Sequence, residues 1–140
     1  MRIRGIAEII ADFPDDQVDE GDEVVLFGGR NVAEAIGAIL TELDYSVSPP
    51  VHRHEYGWDF EVTSAGKRVW MQVSYLGEHD YVLATDFIPK LGLFVSKKQI
   101  YAEMLDRLNK ALASDHRFKS VAWVYRGDAT DTPASGPLDP

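Results

Sequence analysis

The chain of 140 residues contains no cysteine. That excludes disulfides, thiolate metal sites and cysteine nucleophiles together, and it suits a reducing compartment. Long apolar runs are also missing. No window approaches the roughly 18 apolar residues of a membrane-spanning helix. The opening MRIRGIAEIIAD is interrupted by Glu8 and ended by Asp12, too short and too charged for a signal-peptide core. The expectation is a cytoplasmic protein with no membrane association. Basic charge is scarce, with 14 Lys and Arg against 23 Asp and Glu. No basic stripe exists, which argues against a nucleic-acid partner. GxSxG and HExxH are absent, as are internal repeats.

The net charge of −9 is unevenly placed. Residues 24–127 balance, with twelve acids and twelve bases. Residues 1–23 carry eight acids and two arginines, and residues 128–140 carry three acids and no base. The composition, 45% hydrophobic and 26% charged, is that of a globular domain, and the length is that of one domain with its own core.

Residues 57–88, GWDFEVTSAGKRVWMQVSYLGEHDYVLATDFI, read as three consecutive antiparallel strands. A turn within Ser64-Ala65-Gly66-Lys67 places Val62 opposite Val69, Phe60 opposite Met71 and Trp58 opposite Val73, one continuous apolar face. Thr63, Glu61 and Asp59 then meet Arg68, Trp70 and Gln72 on the other. The second turn, Gly77-Glu78-His79-Asp80, decides the third strand. A four-residue loop there predicts an outer apolar patch of Trp70, Leu76, Tyr81, Leu83 and Phe87, too large to be left in water. A three- or five-residue loop exchanges the two sets and leaves Asp86 on a mostly polar outer face.

Around this meander, Ile3, Ile6, Ile9, Ile10 and Phe13 follow helical spacing and predict a short amphipathic helix over residues 3–12. Residues 12–23, DFPDDQVDEGDE, hold seven acids and no base and read as a mobile solvated loop. An EF-hand register fails, because Val18 and Phe27 fall where oxygen ligands are required. Val24 to Phe27 suggest a short buried strand. The following GGRNVA lacks the residues of a P-loop or a dinucleotide fingerprint. Asn31 with Glu34 forms a capping box for a helix over 32–44, with Val32, Ala35, Ile36, Ile39, Leu40 and Leu43 as its apolar stripe. FIPKLGLFV, interrupted by Pro89 and Gly92, reads as an apolar loop. Ser96 with Gln99 opens a second helix over 97–113, and Phe118 to Tyr125 form a last strand.

The expected fold is α+β: a three-strand antiparallel meander plus a C-terminal strand, with two main amphipathic helices packed on one face. It forms a single domain over residues 1–127. Residues 128–140, DATDTPASGPLDP, read as a disordered acidic, proline-rich tail.

Two functions follow as expectations. The first is a non-catalytic, acidic protein-binding domain that docks a basic partner or a second subunit through the outer patch, without a cofactor. Secretion chaperones and toxin-neutralising immunity proteins are small acidic proteins of this plan, a parallel of size, charge and layout with no shared motif. The second is a small metal-dependent enzyme. His52 and His54, two apart on a strand, could share a metal with Asp59. Asp59 and Glu61 share a strand face but lie opposite Gln72 and Trp70, where a solvated role is the expectation.

Overall fold

The computed structural model describes residues 1–88, 96–127 and 132–139. The elements in chain order are β1 (Arg2–Ile3), β2 (Ile6–Ala11), β3 (Val18–Glu20), β4 (Glu23–Leu26), α1 (Arg30–Glu42), β5 (Ser46–Val47) and β6 (Val51–Arg53). They continue with β7 (Gly57–Ser64), β8 (Lys67–Gly77), β9 (Asp80–Ile88), α2 (Ser96–Ala113), β10 (Phe118–Val124) and β11 (Leu138–Asp139). The fold is α+β, with a seven-stranded antiparallel sheet in the order β10-β2-β9-β8-β7-β5 and β6 also paired to β7. The sheet is therefore wider than a meander plus one strand. Two small two-stranded pairings, β3–β4 and β1–β11, stand outside it. No helix among the described residues is long and apolar enough to cross a membrane.

The first hairpin has the register that its alternation predicts. Trp58 pairs with Val73, Phe60 with Met71 and Val62 with Val69. Ala65 and Gly66 form its two-residue turn, both at positive φ, 49° and 74°, the geometry whose twist suits a hairpin. The six apolar partners are all buried. Onto this face pack Val32, Ala33, Ile36 and Leu40 of α1 and Met104, Leu105, Leu108 and Leu112 of α2, forming one core. Both helices thus lie on one side of the sheet. The Trp123 indole N–H donates to Asn109 Oδ1 at 2.8 Å, which ties β10 to α2.

Several expectations are corrected. The segment expected as a helix over 3–12 is strand, not helix. In β2 the residues Ala7, Ile9 and Ala11 are buried while Ile10 is 47% exposed, the period of two that marks a half-buried strand. Alanines count toward that alternation, and the helical spacing of the isoleucines alone hides it. The strand sits between β9 and β10, so it is buried by neighbours remote in sequence. The VVLF segment is not a buried strand but half of the β3–β4 hairpin, with Val25 40% exposed. The loop expected over residues 87–95 is β9 up to Ile88, and residues 89–95 lie outside the described residues. The tail expected to be disordered is partly ordered. Ala134 exchanges two backbone hydrogen bonds with Trp123, and Leu138 and Asp139 pair with Ile3 and Arg2; residues 128–131 and Pro140 are outside the description.

Candidate functional site

The β8–β9 turn places the expected patch residues on two different faces. Its loop is the two-residue Glu78-His79, both at positive φ (51° and 69°), with a bulge between Tyr75 and Gly77 that leaves Leu76 without a partner. Tyr75 then faces Tyr81, Val73 faces Leu83, and Val69 faces Phe87. The patch of Trp70, Leu76, Tyr81, Leu83 and Phe87 is accordingly dispersed. Leu83 and Tyr81 are buried in the core and Phe87 packs against it. Burial, reinforced by the negative charge of Asp16, pushes the Tyr81 hydroxyl up to about 12. Only Trp70 and Leu76 stay on the outer side, and Trp70 pairs with Asp86 there. The shift came from the bulge, which adds the residue that turns a two-residue loop into the opposite facing.

Strand pairing reads out the outer face as rows that cross the sheet. One row runs Val82, Glu8, Ala122; the next runs Ala84, Ile6, Val124; and Asp80, Ile10 and Ser120 begin the series. Toward β8 and β7 the face turns polar. Asp59 accepts hydrogen bonds from Gln72 Nε2 at 2.5 Å and Trp70 Nε1 at 3.3 Å and forms an ion pair with Arg53 at 3.2 Å. Glu61 pairs with Arg68 at 3.5 Å. The polar third satisfies itself. On the apolar third, carried by β10, β2 and β9, Ile10 is exposed and Ile6, Val82, Ala84, Ala122 and Val124 are partly exposed. There, Glu8, Ile10, Leu76, Asp80, Val82 and Ala122, with Pro133 beyond them, line a shallow groove of about 320 Å³. Leu76 is 66% exposed at one end of it.

The histidines go elsewhere. His52 pairs with Trp58 on the core side of the sheet, while Asp59 pairs with Val51 on the outer side, so the strand pleat keeps His52 and Asp59 on opposite faces. His52 Nε2 accepts the Phe27 backbone N–H at 3.0 Å, and the Trp58 indole donates to the Phe27 carbonyl at 2.8 Å. The His52 and His54 rings sit 6.3 Å apart, edge to face, around Phe27. Among the described residues no group of three or more His, Asp or Glu side chains is placed to hold a metal ion.

The acidic segment is docked rather than loose. Asp16 Oδ1 accepts the Gly29 N–H at 2.9 Å and Oδ2 the Asn31 N–H at 2.8 Å, so the start of α1 already holds a carboxylate. Asn31 is inside the helix and is not its cap. The N-cap is Gly29, with φ 107°. Tyr75 donates its hydroxyl to Asp15 at 3.2 Å. Sequence reading missed Asp16 because its partners lie thirteen and fifteen residues downstream. It also missed Glu8, Ile10 and Val82, because the strand that carries the first two was read as a helix.

Compared with protein-family models, with curated proteins and with solved structures, the chain matches none.

Proposed function

We propose that this chain is a non-catalytic protein-binding domain, and that its docking surface is the outer sheet face carried by β10, β2 and β9. The observation that carries the proposal is the asymmetry of that face. Both helices cover the opposite side, the β7–β8 third of the outer side pairs its own charges, and the remaining third presents Ile6, Ile10, Val82, Ala84, Ala122 and Val124 in adjacent rows. Contiguous apolar surface of this kind, rimmed by polar residues, marks interaction sites on soluble proteins.

A protein partner of opposite charge suits this surface better than a second copy. The strands that form it carry Glu8, Asp80 and Asp86, and their only cation is Lys119. Face-to-face self-association sets acid against acid, which is unfavourable. The excess of acid over residues 1–23 would speed the approach of a basic partner, an effect that salt weakens. A metal-dependent enzyme built on His52, His54 and Asp59 draws no support from the geometry, since the strand pleat puts Asp59 on the face opposite His52.

Ile10→Ser tests the proposal, because Ile10 is 47% exposed and serine adds no charge opposite Asp80. Wild-type and variant protein, both checked for native circular dichroism, are immobilised and challenged with extract from the native host. At least one protein held by the wild type should be absent from the variant. Identical retained sets from the two columns would sink it.

A further inference from the structure

We propose that the groove at Glu8 and Asp80 is a subsite for an arginine or lysine side chain of an amphipathic partner segment; this rests on the docking face described above and specifies what that face selects. The site combines three observations. Glu8 lies in the middle of apolar rows, between Val82 and Ala122 across the strands and between Ile6 and Ile10 along its own. Asp80, opposite Ile10, is its diagonal neighbour, about 7 to 8 Å away by strand geometry. Among the described residues no side chain donates a hydrogen bond or an ion pair to either carboxylate, although four of the six salt bridges elsewhere involve residues on the sheet or its neighbouring turns.

The chemistry follows from the shape of a cationic side chain. An arginine or lysine has an apolar stem and a charged head. Laid across Ile10 and Val82 beside Leu76, the stem covers apolar surface that water now touches, and the head reaches the two carboxylates. Arginine, with five donors in a planar fork, can span both at once. An acidic or neutral side chain in the same position buries Glu8 without a partner, which costs far more than an exposed carboxylate does. The groove therefore discriminates by sign as well as by apolarity. Partner segments that carry apolar and basic residues in turn along one strand face match the spacing of the rows, since side chains on one face recur at every second residue.

The test uses the full chain and a defined probe, a fluorescein-labelled ten-residue peptide with leucine and arginine in turn at every second position and threonine between them, so that one strand face carries both; its counterpart has glutamate in place of arginine. Glu8→Gln is compared with Glu103→Gln, which removes the same charge from the exposed side of α2, and with Ile10→Ser. We expect the arginine peptide alone to bind. Glu8→Gln should weaken it about fivefold or more, and Glu103→Gln less than about twofold. If both charge variants weaken binding equally, the attraction is diffuse and the subsite falls. If Ile10→Ser weakens binding but Glu8→Gln behaves like Glu103→Gln, the docking face stands and the cation subsite is overturned. If no variant changes affinity, both proposals fail. A charge kept only to hold the apolar rows apart shows itself differently, as dimers of Glu8→Gln in sedimentation with peptide affinity equal to that of the control, and that result also overturns the subsite.

Discussion

Asp16 caps a helix that begins fourteen residues later in the chain, its Oδ2 accepting the Asn31 backbone N–H at 2.8 Å while Oδ1 takes that of Gly29 at 2.9 Å. One carboxylate thus satisfies two of the donors that a helix start leaves open, and its negative charge lies at the favourable end of the helix dipole. It also holds the acidic segment to the body of the domain. Asp16→Ala should destabilise the protein by about 1 to 2 kcal/mol, read as a lower urea midpoint with unchanged slope. An unchanged midpoint would mean that the cap contributes nothing net.

The facing of β9 makes a sharp pair of expectations. Leu83 is fully buried and Leu76 is 66% exposed. Leu83→Ala should cost about 2 to 5 kcal/mol, and Leu76→Ala should stay within about 0.5 kcal/mol of wild type. Equally small costs for the two in thermal or urea unfolding would restore the register with a four-residue loop, which sets both on the outer face.

The contrast between the two hairpins shows what the sequence made legible. Ala65-Gly66 offers a glycine where positive φ is required, so the turn announces itself and every partner from Trp58 to Ser64 follows by counting. Glu78-His79 adopts the same positive φ without glycine or asparagine, and the bulge at Leu76 leaves no signature in side-chain type. Both facts depend on tertiary support: the His79 carbonyl accepts the Ala11 N–H at 3.0 Å, and its ring nitrogen Nδ1 lies 3.1 Å from the Ala11 carbonyl. The helices were readable from their own stripes because each pattern is local. The proposed docking face was not, since its rows form only when β2 is inserted between strands far along the chain.

Thr85 is a buried polar residue, with its hydroxyl 2.7 Å from the Gly5 carbonyl and 2.7 Å from the Tyr101 hydroxyl. Thr85→Val keeps the volume and removes the hydroxyl. It should cost about 1 to 3 kcal/mol, because two buried groups lose a partner. Calorimetry of the single variant and of the Thr85→Val, Tyr101→Phe double variant checks the cause. If the hydroxyl pair is responsible, the second change should add much less on the first than it costs alone.

Asp115 gives a pH dependence with a definite sign. The Arg117 guanidinium, hydrogen-bonded at 2.7 Å, holds its carboxyl down at about 2. A depressed value in the folded protein means stability that is present above the unfolded value near 4 and is lost as pH falls toward 2. Asp115→Asn should therefore lower stability by about 1 kcal/mol at neutral pH. The gap to wild type should close between about pH 4 and pH 2. A gap that persists below pH 2 would show that the effect is not ionic.

The insertion of β2 also has a consequence in time. Its partners β9 and β10 span Asp80–Ile88 and Phe118–Val124, so during synthesis the strand leaves the ribosome well before either of them. Until then its backbone donors and its isoleucines have no native neighbours. Distant pairing of this kind slows folding, and unpaired strands are prone to aggregate. Glu8, at the centre of that waiting strand, places a charge where a nascent chain would otherwise be stickiest.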